Sequence, residues 1–537
     1  MFKYVLVTGE SPSINDKGLL CSAVATLMQS KGYRVTFLKI DQYLNYKSGK
    51  MSPIERGEIY VLNDGTETDM YVGEFERSAI VRLTQKNTVT AGKILYDTIM
   101  EEMNGEFNGV KLNIRETIHQ KLEESLMNLQ TQKIDVYENG KWKRVLPEIA
   151  IISLGGSPYK MGAELFLEAL QKFFSKLKTD DFCCISLDCL ITIDGEEKIK
   201  GIQRNLLYMQ GHGLATDILL YKCSCDHISD KSLKKLQNYA SVKKDTILKF
   251  PSSKNPSKVP LMLSNEGLDE QILKLLNLEG KTPFIDLTKW RDPLKKKYEK
   301  SIKLGLITRY SPQSEAYYSL ETALYCAAKE KGFSLELIRI DQTKYVENEQ
   351  HFNKIIDGLN GMVCPGGFKS IGVEGKLKII KYVRENKIPF LAICLGFQLA
   401  VIEFCQNVLD IKTATSAEFD PSSPNDVINY LKDKNNAKKV FLGKYSVKLN
   451  GFFAKLYNKK TSDEKFRHGC GLNHKYIKLL EEKGFKIEGY TNDGRASCSV
   501  LEDHPFFVGV QYHPELSFIP SIRDPLIDAF IEAMIKK

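Results

Sequence analysis

The residue of this chain best placed for covalent chemistry is a cysteine carried from an apolar run into a glycine turn. It lies in Pro389-Phe-Leu-Ala-Ile-Cys394-Leu-Gly396-Phe-Gln398. The run reads as a buried strand and the residues after it as the start of a helix, which makes a nucleophile elbow with sulfur in place of a hydroxyl. A helix N-terminus at that point favours a thiolate. The backbone N–H of Leu395 is placed to bind an oxyanion. Pro365-Gly366-Gly367, after another apolar run, supplies a second N–H at Gly367, since glycine allows close approach. The partner is sought in Gly509-Val-Gln-Tyr-His513-Pro-Glu515; of the eight histidines, only His513 sits at the end of such a strand-like run. His513 would act as general base and Glu515 would orient it. A lone cysteine is more often buried and inert. Here elbow, glycine pair and His-x-Glu occur together and in order, which favours chemistry.

Elements must hold these groups. From 302 onward the pattern alternates strand and helix: strand 303–308, helix 314–331, strand 334–340, strand 361–364, helix 373–385, strand 389–393 and helix 396–405. That rhythm predicts a doubly wound α/β domain. Residues 412–430, with Pro421 and Pro424, read as an irregular loop. The N-terminal half opens the same way, with strand 4–7, a polar turn, helix 19–31 and strand 35–39, and then strand 149–154, helix 164–174 and a strand over 183–193. A Pro-, Ser- and Lys-rich stretch places a linker at 286–300, between a domain over 1–285 and one over 301–537.

A length of 537 residues calls for at least two cores. Apolar content of 42% with 27% charged residues fits a soluble globular chain. No apolar run reaches about 18 residues, so no membrane helix is expected, and the start lacks the features of a secretory signal. Twelve irregularly spaced cysteines favour a reducing, cytoplasmic setting over a disulfide framework. The charge of +9 is modest and its lysine runs, such as Lys295, Lys296 and Lys297, are short, so a solvated face is a better reading than a nucleic-acid patch. An anionic small molecule is compatible with it. Cys223-Ser-Cys225-Asp-His227 lacks a second cysteine pair at zinc spacing and reads as structural.

The elbow and His-x-Glu resemble the class I, or triad-type, glutamine amidotransferases. More specifically, Ser416-Ala-Glu418-Phe-Asp-Pro421, the run from Glu374-Gly-Lys to Ile393, and Gln398-Leu-Ala-Val-Ile-Glu-Phe resemble the amidotransferase half of the CTP synthase family. Met51-Ser-Pro, Gly57-Glu-Ile-Tyr-Val, Asp64-Gly-Thr-Glu-Thr-Asp69 and Phe75-Glu-Arg77 extend the likeness through the N-terminal half. It runs from residue 1 to about 530. The resemblance implies two doubly wound parallel-sheet α/β domains, a P-loop, dethiobiotin-synthetase-like synthase domain and a class I glutamine amidotransferase domain. It implies ATP-dependent amination of UTP to CTP, with Mg²⁺ and ATP as cofactors and ammonia drawn from glutamine. Gln398 and Glu418 would hold the amide and amino group of glutamine. Ser13, Lys17, Gly18 and Lys39 would face nucleotide phosphates, and Lys198, Lys200 and Gln203 would face UTP. The partners implied are glutamine, UTP, CTP and ATP, with a homotetramer, a filament or co-assembly with a paralogue, and no nucleic acid or membrane.

The chain departs from the family's pattern where charge matters most. In the loop Thr8-Gly9-Glu10-Ser11-Pro12-Ser13-Ile14-Asn15-Asp16-Lys17-Gly18, two of the family's glycines are Glu10 and Asp16, and Pro12 has no N–H to give. A phosphate cradle works by aiming backbone N–H groups at an anion. One misplaced charge about 4 Å away costs on the order of 4 kcal/mol at an effective dielectric of ~20. The resemblance leaves Asp69 as the metal candidate; the family's two Mg²⁺-ligand positions fall at Tyr71, two residues beyond it, and at Ser153, before Gly155-Gly156, and neither replaces a carboxylate well. The family's next loop is Ser157-Pro-Tyr-Lys160-Met-Gly162-Ala163 here, without its two acids. An arginine that holds the glutamine carboxylate is replaced within Arg467-His468-Gly469-Cys470-Gly471, and the segment after Gly367 is Lys369-Ser370-Ile371-Gly372. These changes predict a weakened ATP and Mg²⁺ site beside an intact triad. The alternative expectation is a paralogue serving as a glutaminase or as a structural subunit.

Overall fold

The structure is a computed structural model that describes residues 2–10, 15–46, 49, 51–138, 140–159, 162–223, 228–240, 242–253, 256–287, 298–308, 315–367, 372–433, 435–520 and 522–537. Contacts divide the chain into two units. One takes Met1–Met51 and Tyr71–Lys296; the other takes Ser52–Met70 and Lys297–Lys537. A division at 285 and 301 leaves out this excursion, because Ser52–Met70 packs with the C-terminal unit. Most of the expected linker, 288–297, lies outside the described residues.

The N-terminal unit is built on seven parallel strands in the order Ile247–Lys249, Ile218–Lys222, Phe182–Cys189, Lys3–Thr8, Ile149–Leu154, Val35–Asp41 and Thr88–Thr90. The central strands Lys3–Thr8, Ile149–Leu154 and Val35–Asp41 are buried at every position. That is why they read as continuous apolar runs rather than alternating ones: both faces of a parallel sheet are covered. Helices Asn15–Ser30 and Ala163–Phe174 follow two of them. The strand expected over 183–193 ends at Cys189. Ile191–Ile193 instead pairs antiparallel with Glu196–Lys198 in an exposed hairpin.

In the C-terminal unit a nine-stranded sheet begins with five parallel strands: Phe333–Asp341, Lys300–Thr308, Gly361–Cys364, Phe390–Ile393 and Phe507–Val510. It continues antiparallel through Ala496–Leu501, Phe485–Thr491, Phe441–Leu449 and Thr461–His468. One apolar layer packs helices Val373–Glu385 and Leu395–Asn407 against a face of this sheet; the other packs Tyr318–Glu330 and Pro525–Lys536 against the opposite face. The stretch 412–430 is not wholly irregular. Thr415–Ser416 and Asp426–Tyr430 form a small sheet with Cys470–Leu472, and the prolines sit in the connection between them. The hairpin of Ile59–Val61 and Glu67–Asp69 completes the unit, with Tyr60 fully buried.

Candidate active site

Strand Phe390–Ile393 ends at Cys394, which caps helix Leu395–Asn407 with φ 53° and ψ −103°. A non-glycine residue held at positive φ costs about 1–3 kcal/mol and persists only where the surroundings fix it. The surroundings here are tight. A Cβ built on Gly396 would lie 2.1 Å from the Cys364 carbonyl oxygen, so only glycine lets the helix start this close to the neighbouring strand. The Cys394 thiol is buried and donates to the Arg467 carbonyl at 3.5 Å. Gly366 closes the other side: a Cβ there would be 2.7 Å from His513 Cε1 and 3.4 Å from Cys394 Cβ. Gly367 backs onto Leu395, whose Cδ2 would meet its Cβ at 3.2 Å. The two N–H groups expected to hold an oxyanion therefore belong to adjoining residues beside the thiol.

His513 follows strand Phe507–Val510, and its Nδ1 lies 2.7 Å from Glu515 Oε1. Burial alone would strip the ring of its proton. The Glu515 carboxylate and the Cys394 sulfur outweigh that and raise the His513 pKa to about 10. The folded state thus holds this proton more tightly than an unfolded chain near 6.5 would. Its contribution to stability is full below the unfolded value and is lost as pH rises through the folded one. The urea midpoint is expected to fall between about pH 7 and pH 10, and Glu515→Gln is expected to flatten that fall. An unchanged slope in Glu515→Gln would show that the pair does not hold the proton.

Gln398, one turn into the helix, donates through Nε2 to the Cys470 carbonyl at 2.7 Å and to Gln511 Oε1 at 3.1 Å. Glu418 is half-buried, its backbone N–H donating to Ser416 Oγ at 3.2 Å. The Cys470 thiol is pushed up to about 12 by burial and then by the Glu418 charge, and it also feels Cys394. Gln398 thus bonds to Cys470, whose thiol in turn feels the charges of Glu418 and Cys394. Gln511 and His468 were not anticipated from the sequence. His468 is buried and kept neutral, its pKa lowered to about 3 by burial and then by the nearby Arg495 and His513 charges. Nor was the hairpin's part. Tyr60 donates its hydroxyl to the Leu516 carbonyl at 2.8 Å, Lys465 donates to Tyr60 at 3.0 Å, and Arg467 pairs with Glu67 at 2.8 Å. The segment carrying the family's Asp-Gly-x-Glu-Thr-Asp motif is thus bound to the residues on either side of the triad.

Two family models match the chain, "CTP synthase N-terminus" over residues 3–278 and "Glutamine amidotransferase class-I" over 314–533. The CTP synthase of Encephalitozoon cuniculi is 31% identical over 541 residues, covering 100% of this chain and 99% of that protein. That of Oleidesulfovibrio alaskensis is 33% identical, covering 100% and 98%. This chain belongs to the CTP synthase family. A solved chain described as the Trypanosoma brucei CTPS glutaminase domain with bound acivicin is 27% identical, spans 44% of this chain and 94% of its own, and has a TM-score of 0.42.

The loop compared above with the family's phosphate loop follows strand Lys3–Thr8, and the charges of its described residues are answered from within the protein. Lys17 donates to the carbonyls of Gly9 and Leu154, both at 3.1 Å, and to that of Gly156. Burial, then the charge of Lys39, lowers its pKa to about 8. Lys39 pairs with Asp41, and Asp16 pairs with Lys222 at 2.7 Å. The Glu10 carboxylate lies 3.8 Å from Arg204, and the Glu10 N–H donates to Asp188 Oδ1 at 3.2 Å. Asp188 is buried, braced by Ser186 and Asn205, and burial raises it to about 6. A buried carboxylate thus takes the backbone N–H of Glu10 in this loop. Gly18 is covered as well: a Cβ there would lie 2.2 Å from the ring of Tyr71. Ser13 lies outside the described residues, as do 224–227 of the Cys223 motif, Lys160, and 368–371. Lys198 is exposed and paired with Glu196 at 2.6 Å; Lys200 and Gln203 stand in the first turn of helix Lys200–Gly211. Asp69 belongs to the hairpin in the C-terminal unit. Among the described residues, no group of three or more His, Cys, Asp or Glu side chains could hold a metal. Tyr71 offers a ring face and Ser153 a hydroxyl committed toward the Cys21 thiol, so the described residues do not fit a magnesium ion at those positions.

Proposed function

We propose that this chain releases ammonia from glutamine at Cys394, and that its N-terminal half no longer drives Mg·ATP-dependent phosphorylation of UTP on its own. The observation that carries the first part is Cys394 at the elbow with His513 and Glu515 behind it, under Gly366. The sulfur attacks the side-chain amide carbon of glutamine. The N–H groups of Leu395 and Gly367 take the charge that develops on the oxygen. His513 gives a proton to the departing ammonia and leaves a γ-glutamyl thioester. It then takes a proton from the water that hydrolyses the thioester to glutamate and frees the thiol. Gln398 and Glu418 hold the amide and the α-amino group.

The second part rests on the Tyr71 ring over Gly18 and on carboxylates standing where phosphate oxygens would be answered. Lys17 and Lys39 remain, so a weak anion site is consistent with the cradle. The test supplies ammonia directly with UTP, ATP and Mg²⁺, which bypasses Cys394, and follows CTP by ultraviolet absorbance. No CTP is expected from folded protein. Steady formation in proportion to enzyme would refute the second part, leaving the chain a complete CTP synthase.

A further inference from the structure

We infer that Lys438 holds the α-carboxylate of substrate glutamine, facing Glu418 across Cys470; this rests on the glutaminase reading above. Glutamine arrives as a zwitterion, so a pocket that selects it over other amides needs one cation and one anion at the mouth, beyond the groups that act on the amide. Glu418 supplies the anion. Three other cations of this unit have partners of their own. Arg467 is turned to Glu67 at 2.8 Å. Lys465 is buried against the Tyr60 ring. Arg495 lies 3.2 Å from the Phe441 ring centroid and pairs with Asp493 at 3.0 Å.

Lys438 is different. Its ammonium stands 3.5 Å from the centroid of the Tyr430 ring, and it makes no ion pair among the described residues. Tyr430 is the register partner of Cys470 in the small antiparallel sheet, and the Cys470 carbonyl accepts from Gln398. Lys438 is therefore one side chain removed from the residue that Gln398 grips. The Cys470 thiol is acted on by Glu418 and Lys438 with opposite sign, and by Cys394 as well. Both charges and the nucleophile thus lie close enough to Cys470 to act on it, and an amino acid's two α-substituents need one charge of each sign. A cation resting on an aromatic face keeps its direction without losing its charge, and it can turn from the ring to a carboxylate at little cost. Lys438 is exposed, so its role is in binding and not in the chemical step.

The test compares glutamine with its α-amide, in which the carboxylate is neutral, in wild type, Lys438→Met and Lys438→Arg. For glutamine, Lys438→Met is expected to raise KM about tenfold or more, the scale of a lost charge-assisted contact, with kcat within about threefold. Lys438→Arg should recover most of the loss, and KM for the α-amide should not move. A KM that rises equally for both substrates would make Lys438 merely structural, and an unchanged KM for glutamine would remove it from the pocket; either overturns the inference. Labelling of Cys394 by a γ-diazoketone analogue of glutamine gives a reading independent of turnover, with iodoacetamide as the control lacking both α-groups. Half-saturation by the analogue should shift in Lys438→Met and the iodoacetamide rate should not. Wild-type protein that neither hydrolyses glutamine nor takes the analogue would defeat the glutaminase reading and this inference with it. Normal wild-type labelling with no shift in the variant would defeat this inference alone.

Discussion

Cys394→Ala is expected to hydrolyse glutamine at less than about one-thousandth of the wild-type rate, since removing the nucleophile of a triad leaves only binding and oxyanion stabilisation. The geometry makes the loss specific. Cys394 is the residue at positive φ at the end of its strand, and His513 is held by Glu515 on its far side, so nothing else stands where the sulfur stands. Alanine keeps the backbone and leaves Gly366 and Gly396 in place, so the fold should survive; circular dichroism and a urea titration check this. The rate is read by coupling released ammonia to glutamate dehydrogenase. Hydrolysis persisting above one-hundredth of wild type would mean another residue is the nucleophile.

The second large effect is a gain. Changing Glu10→Gly, Asp16→Gly, Tyr71→Asp and Ser153→Glu together is expected to tighten Mg·ATP binding by at least about tenfold, because at an effective dielectric of ~20 even one close carboxylate opposes phosphate by on the order of 4 kcal/mol before its counter-ions are considered. Those counter-ions matter here. Lys222 partly cancels Asp16, and Arg204 lies near Glu10, so the net gain is far below the bare sum. Removing the two acids also releases Lys222 and Arg204 to face phosphate. Tyr71→Asp uncovers Gly18, and Ser153→Glu places a carboxylate in the strand between Val7 and Lys39. Titration calorimetry measures the change. No added heat and no tighter constant would show that these four positions do not govern the nucleotide.

Much of this was legible before any coordinates. The elbow was, because a buried strand, a cysteine and a glycine in sequence leave few conformations, and Gly396 against the Cys364 carbonyl shows why. The parallel strands were, because burial on both faces writes an unbroken apolar run. The antiparallel half of the larger sheet was not. Phe441–Leu449 mixes buried and exposed positions irregularly, and Phe485–Thr491 alternates strictly only once its faces are known. Asp188 was hidden for a different reason: an acid within the apolar strand Phe182–Cys189 carries no local mark of the loop whose N–H it accepts. Glu67 and Arg467 are 400 residues apart, and nothing short-range connects them.

The hairpin's allegiance has a consequence for how this polypeptide can be divided. A cut in the 286–300 stretch, where composition invites it, would not yield two self-sufficient proteins. The C-terminal piece would lose the Tyr60 ring that covers Lys465, one of its most deeply buried charges, and the carboxylate that answers Arg467. The N-terminal piece would carry off a strand pair whose buried faces belong to another fold. Separating the two halves within 286–300 is therefore expected to cost the C-terminal one stability, whatever either half catalyses.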